Sequence, residues 1–286
     1  MANLKQLRRR IVGIRNTQQL TRAMKLVAAA KLRRAQEAVE AVRPYARAVE
    51  ELTARLCAQA GGLEHPLLAP RPMRKVRVLV FTSDKGLCGT FNTNVCRAVE
   101  QYLRTKSAAF ESVELAIIGR KGTEYLTKRG YTPAHKYPGS GAHDAVSADT
   151  LARTFASDYQ DGTVDGVFLV YNEFLSAMVQ RLTWKQLLPL ELPEAKADDA
   201  ADYLQEPQPM ELLERLLGLR LHATLHRALL ESLASEMGAR MTAMDSATKN
   251  AKELIEKLTL AANKARQEAI TRELIDIVGG AEALNG

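Results

Sequence analysis

The chain is poor in the residues that carry covalent or metal chemistry. It has three cysteines, Cys57, Cys88 and Cys96, in 286 residues. Their number and spacing fit neither a disulfide framework nor a zinc site. Aromatic residues make up 5% with a single Trp, which leaves little for stacking single-stranded bases. Apolar runs such as Val78–Phe81 and Val167–Val170 fall far short of the roughly 20 residues that a membrane-spanning helix needs. The first ten residues are rich in basic and amide side chains and lack the apolar core of a secretory signal. These absences predict a soluble protein of a reducing compartment, one that meets a membrane only through partners.

Proline and glycine are scarce in both end segments. From Leu4 to Leu56 there is one glycine, Gly13, and one proline, Pro44. From Met210 to Val278 there is no proline, and the only glycines are Gly218 and Gly238. Long stretches of Ala, Leu, Glu, Lys and Arg without breakers read as long helices. The sequence therefore divides into residues 1–58, 59–209 and 210–286.

A spacing of 3.5 residues runs through both end segments. In the first it selects Leu4, Leu7, Ile11, Ile14, Gln18, Thr21, Lys25, Ala28, Leu32, Ala35, Val39, Val42, Ala46, Val49, Thr53 and Leu56. In the last it selects Met237, Met241, Met244, Thr248, Ala251, Ile255, Leu258, Ala262, Ala265 and Ala269. A heptad repeat kept this long predicts a left-handed coiled coil. The many Ala residues predict close approach of the backbones. The polar members of the first series concentrate at 18–25. Pairing the first helix with the last makes the coiled coil antiparallel. The C-terminal helix is the longer, so Ile270, Leu274, Ile277 and Val278 are expected to form an overhanging apolar tip that another protein must cover.

Charge is confined as well. Residues 1–58 hold 13 Lys+Arg against 4 Asp+Glu, whereas the two signs nearly balance elsewhere and the whole chain carries +7. A basic excess this local suits an acidic partner.

The middle segment reads as α/β. Val76–Thr82, Val113–Gly119 and Val164–Asn172 have the composition of buried strands, and Ser176–Leu188 reads as a neighbour of the last. Phe91–Lys106, Arg120–Arg129 and Ser147–Tyr159 read as helices, and Glu194–Pro209 as a loop. Strand, glycine turn, helix, strand predicts a doubly wound, Rossmann-like sheet inserted between the coiled-coil helices.

The turn Ser83-Asp-Lys-Gly-Leu-Cys-Gly89 sits where phosphate loops sit, but it lacks the Gly-x4-Gly-Lys-[Ser/Thr] and Gly-x-Gly-x-x-Gly orders. His222 and His226 lie four apart on one helical face without a further metal-ligand cluster. Cys88 has no sequence-recognisable His and acid partner, and no Gly-x-Ser-x-Gly elbow is present. No catalytic, cofactor or metal residues are assigned. Two other readings remain at this point: a basic coiled coil that binds duplex nucleic acid through phosphates, and a nucleotide-binding enzyme built on the middle segment.

Three separated motifs narrow the choice. They are Asn16-Thr-Gln-Gln-Leu-Thr-Arg-Ala-Met-Lys-Leu-Val-Ala-Ala-Ala-Lys-Leu-Arg-Arg-Ala-Gln36, the turn Ser83–Gly89, and Asn263–Ala281 with its Ile270-Thr-x-Glu core and Gly279-Gly280. In this order they resemble the gamma subunits of F-type ATP synthases over essentially the full chain. The resemblance implies the rotor of the central stalk, with no chemistry and no cofactor of its own. It implies alpha and beta subunits in a ring, an epsilon subunit and a membrane c-ring as partners, and no nucleic acid. It places the chain peripherally at the cytoplasmic face of a bacterial membrane, one copy per complex. Met24 and Lys25 are then expected to face acidic beta loops. Arg8, Arg9, Arg10, Arg33 and Arg34 add to the basic surface. Arg266, Gln267, Thr271 and Glu273 are expected to form a polar catch with the surrounding subunits, with Arg240 as a further member. Residues 193–209 hold no cysteine pair, so the thiol switch of plant-type members is not expected. Thr90 after Gly89 departs from the small residue the family would place there.

Overall fold

The computed structural model describes residues 2–59, 65–139, 145–191 and 209–285. Helix α1 (Ala2–Gln59) and helix α5 (Pro209–Asn285) occupy the two ends. Between them come β1 (Lys75–Phe81), α2 (Phe91–Lys106), β2 (Ser112–Ile118), α3 (Arg120–Thr127), β3 (His135–Tyr137), α4 (Ala145–Gln160), β4 (Gly166–Phe174) and β5 (Gln180–Leu188). The loop expected at 194–209 lies almost wholly outside the described residues. The chain forms two compact units, residues 1–27 with 241–286, and residues 28–240.

The first unit is a pair of helices. Thr21 and Thr248 meet with hydroxyls 2.8 Å apart, and Lys25 meets Asp245 at 2.6 Å. Four residues forward on α1 thus correspond to three residues back on α5, which is the antiparallel register. The heptad residues of both helices in this unit are buried or half-buried, from Leu4 to Lys25 and from Met241 to Ala269. Beyond them Ile270, Leu274, Ile275, Ile277 and Val278 are exposed.

The second unit is built on one sheet in the order β3-β2-β1-β4-β5. The first four strands are parallel and β5 pairs antiparallel with β4. Alternation along β1 sends Val76, Val78 and Val80 to one face, where Val95, Val99 and Leu103 of α2 and Leu126 of α3 cover them. Leu79 and Phe81 point to the other face. There Leu151 and Phe155 of α4 join Leu213, Leu217, Leu221, Leu225 and Leu229 of α5. The four-residue spacing of those leucines lays a stripe of α5 along the sheet. The doubly wound arrangement expected from the sequence is present.

The structure differs from the sequence reading in detail. β3 is a strand that the periodicity did not reveal, because three residues carry too little pattern; it exists through its pairing with Ala116–Ile118. Helix α4 starts at Ala145 rather than Ser147, and the strand expected to start at Val164 begins at Gly166. A charged residue lies among the buried strand positions. Arg77 is 3% exposed and forms ion pairs with Glu114 at 2.8 Å and with Asp158. Two carboxylates and the nearby Phe155 ring compensate its burial.

Candidate functional site

In a doubly wound sheet, ligands bind beyond the carboxyl ends of the strands where the order reverses. Here that point lies between β1 and β4, and the chain fills it with its own helix. Ser235 of α5 donates its hydroxyl to the carbonyl of Asn172 at 2.8 Å, and Asn172 donates in turn to the carbonyl of Phe91 at 3.4 Å. Gly238 approaches the β4–β5 turn so closely that a Cβ there would lie 3.2 Å from the carbonyl oxygen of Ala177. Arg240 donates to the carbonyls of Lys85 and Gly86, at 3.1 and 3.4 Å. Its guanidinium also pairs with Glu236 at 2.6 Å, and both side chains are nearly buried. Burial pushes the Glu236 carboxyl up from its ordinary value, and the Arg240 charge opposes that.

The turn after β1 is tied down at several points. Ser83 N donates to Asn92 Oδ1 at 2.9 Å, and Asp84 Oδ1 accepts the backbone N–H of Arg120 and of Gly139, each at 3.0 Å. Leu87 takes a positive φ of 63° and is exposed. Cys88 is buried, and desolvation raises its thiol pKa, so it is held as the thiol at neutral pH. Cys96, also buried, is pushed up to about 12. Among the described residues no group of three or more His, Cys, Asp and Glu side chains is clustered to hold a metal ion. The rings of His222 and His226 lie 5.7 Å apart, tilted by 32°, and His222 contacts the carbonyl of Ala145.

The helix pair of the first unit presents a different surface. Its seam changes character at Thr21 and Lys25, where hydroxyls and an ion pair replace apolar contacts. Asp245 lies between Lys25 at 2.6 Å and Lys249 at 2.9 Å. Their hydrogen bonds hold its carboxyl down at about 2. Met24 beside this break is half-buried. Arg8, Arg9 and Arg10 are exposed on α1, as are Arg33 and Arg34 in the second unit, where Arg33 pairs with Glu37 at 3.0 Å. Arg266, Gln267, Thr271 and Glu273 are exposed on α5. Arg240 is not among these exposed side chains; its guanidinium serves the β1 turn. Sequence reasoning did not select Asp245 or Glu236. Asp245 falls three residues before Thr248 of the seam, so laying the polar stretch 18–25 against an antiparallel partner would have found it. Glu236 has no such signal, because its role follows from where Arg240 is drawn.

A basic helix pair with a polar break in an Ala-rich seam, joined to an α/β domain whose ligand crevice is filled from within, defines a coiled-coil protein built for contact with partners. A family model described as ATP synthase matches residues 3–284. The ATP synthase gamma chain of Geobacter metallireducens is 47% identical over the whole of both chains, and that of Anaeromyxobacter dehalogenans is 49% identical over 99% of this chain and all of its own. Among solved structures, a chain of the central stalk and c-ring of the Tetrahymena thermophila mitochondrial ATP synthase is similar with a TM-score of 0.60 at 25% identity, covering 80% of this chain and 99% of that one. A chain of the Euglena gracilis mitochondrial ATP synthase rotor shares the fold with a TM-score of 0.66 at 20% identity, over 94% and 99% of the two chains. The chain belongs to the ATP synthase gamma chain family.

Proposed function

We propose that this chain is the rotating central stalk of an F-type ATP synthase, performs no bond chemistry, and passes torque between a membrane c-ring and the catalytic sites of three beta subunits. Family membership over the full length supports the assignment. The observation that carries the mechanical reading is the α5 plug. Ser235, Gly238 and Arg240 hold α5 to the loops of the sheet, so that a twist applied to the α/β domain is passed to the stretch of α5 that these residues hold.

In this reading the α/β domain seats on the c-ring together with an epsilon subunit, and the helix pair enters a ring of alpha and beta subunits. The exposed Ile270, Leu274, Ile277 and Val278 then turn in an apolar sleeve. Met24 and Lys25 face acidic beta loops, and Arg8, Arg9, Arg10, Arg33 and Arg34 supply a long-range attraction that water and salt keep loose. Arg266, Gln267, Thr271 and Glu273 engage the ring as a polar catch. Among the described residues no helix is long and apolar enough to cross a membrane. The chain would be held peripherally at the cytoplasmic face of a bacterial membrane through the c-ring.

The test is reconstitution with alpha and beta subunits and a probe fixed to an exposed residue of the α/β domain. Stepwise, one-directional rotation of the probe under ATP is the expected result. Steady ATP hydrolysis by the complex with the probe stationary would refute the rotor.

A further inference from the structure

Beside the filled crevice, over the carboxyl ends of β1, β2 and β3, lies an open cavity of about 850 Å³. We propose that it binds a linear phosphate anion of two or more phosphoryl groups, either free or as the phosphate chain of a nucleotide. The inference stands independently of the rotary role.

The charge of the cavity is one-sided. Five cations line it from five separate places: Lys31 on α1, Lys85 in the β1 turn, Arg120 at the start of α3, Lys136 on β3 and Arg240 on α5, of which Arg120 is paired with Glu124 at 3.5 Å. Two carboxylates share the lining, and both are engaged. Asp84 Oδ1 accepts the two backbone N–H groups of Arg120 and Gly139, and Glu236 is paired with Arg240. Lys85 and Lys136 have no carboxylate partner among the described residues, and Lys31 feels Glu236 only at a distance. Cations that face one another across a concavity repel until an anion joins them, and several at once suit an anion with several charges.

The shape favours a small ligand over an acidic protein segment. The volume lies within the range of small-molecule sites, ~300–1,000 Å³, and exceeds what a single phosphate fills. Part of the wall is backbone at glycine. Gly119 and Gly139 are among the lining residues. The cavity opens at the carboxyl ends of the parallel strands, next to the switch point that α5 fills.

Isothermal titration of the full-length chain with tripolyphosphate, pyrophosphate, orthophosphate and ATP tests the proposal. We expect saturable one-site binding of tripolyphosphate that weakens with salt. In the Lys85→Gln/Lys136→Gln variant it should fall by roughly tenfold or more, as expected for loss of charge-assisted bonds. The control Lys106→Gln/Lys128→Gln, at exposed lysines of α2 and the end of α3, should bind as the parent does. Circular dichroism confirms that both variants fold. Equal affinity for ATP and tripolyphosphate assigns the site to the phosphate chain alone; tighter ATP binding assigns it to a nucleotide. The proposal is overturned by no saturable binding of any of these at millimolar concentration. It is equally overturned by the same loss in both double variants, or by a glutamate decapeptide that binds more tightly than tripolyphosphate.

Discussion

Lys25 Nζ lies 2.6 Å from Asp245 Oδ1 across the antiparallel pair of α1 and α5. It stands at a seam position where a heptad calls for an apolar side chain. A charge at such a position specifies register at some cost in stability. With the Thr21–Thr248 contact one turn away, it fixes which residue of α5 faces which residue of α1.

The ion pair predicts an acid-sensitive term. Folding lowers the Asp245 carboxyl from 3.8 to about 2. A carboxyl depressed in the folded state stabilises above its unfolded value, and that contribution disappears as pH falls through the folded one. Asp245→Asn should therefore melt below the parent at about pH 6, and the gap should close between about pH 4 and 2. High salt should shrink it too, since the ion pair is only half-buried. Melting curves across pH check this; a gap as wide at pH 2 as at pH 6 would exclude the linkage.

The threonine pair should behave as a coupled unit. Each hydroxyl also lies within reach of a carbonyl of its own helix, Gln18 O at 3.0 Å from Thr21 and Met244 O at 2.7 Å from Thr248, and as each carries one proton, one donates across the pair while the other donates to its carbonyl. Replacing one with Val should cost about 1 kcal/mol, because the remaining hydroxyl loses its partner across a packed seam. Replacing both should cost less than the sum of the two single changes. A double-mutant cycle on urea unfolding measures the difference, and strict additivity would contradict it.

Much of this architecture can be read from local pattern. Helix α2 spans Phe91–Lys106 as expected, because apolar period, flanking glycine and a basic last turn agree. The seam residues from Leu4 to Leu56 and from Met237 to Ala269 are all buried or half-buried, because a heptad states its own buried face. What local pattern misses is set by distant partners. Arg77 sits inside an apolar run, and its burial is intelligible only with Glu114 and Asp158 in place. β3 is three residues long and is held by β2. Arg240 has the composition of a surface cation on a long helix; its destination depends on a turn more than 150 residues earlier.

Two glycines should respond in opposite senses. At Gly119 a Cβ would sit 2.2 Å from the carbonyl oxygen of Thr82, in a backbone with φ +95°. Gly119→Ala should cost more than about 3 kcal/mol or prevent folding. Gly13 lies within α1 with nothing within 4 Å of a Cβ, so Gly13→Ala should raise stability by about 1 kcal/mol. Denaturant midpoints of the two variants decide it, and a stabilised Gly119→Ala would contradict the close approach.

Arg240→Ala should destabilise by about 3 kcal/mol, because it leaves Glu236 as a buried, unpaired carboxylate and frees the Lys85 and Gly86 carbonyls. The Glu236 pKa is already raised by burial, and loss of Arg240 raises it further. A carboxyl raised in the folded state imposes its penalty above that pKa, and the penalty falls as pH drops towards the unfolded value. The variant should therefore recover part of its deficit on going from neutral pH to about pH 5. Arg240→Lys should not rescue it, since one ammonium cannot serve Glu236 and two carbonyls in fork geometry. Unfolding at the two pH values checks the sign.

The rotor reading makes one demand on Met24. Its side chain is half-buried beside the Lys25–Asp245 break, where the proposal places acidic beta loops. Met24→Lys adds a fixed charge there. Assembly rests on the long seam and the tip, so the variant should enter the complex at parental yield. An extra ion pair holds the shaft more firmly at each stop, so hydrolysis should lose its grip on ion transport. The ratio of ATP-driven ion pumping to ATP hydrolysis in reconstituted vesicles should fall severalfold. Raising the salt should restore it in part, because the added attraction is screened. Met24→Leu, which conserves volume and adds no charge, should keep the parental ratio. If Met24→Lys pumps as efficiently per ATP as the parent, the charge does not meet acidic loops at this position.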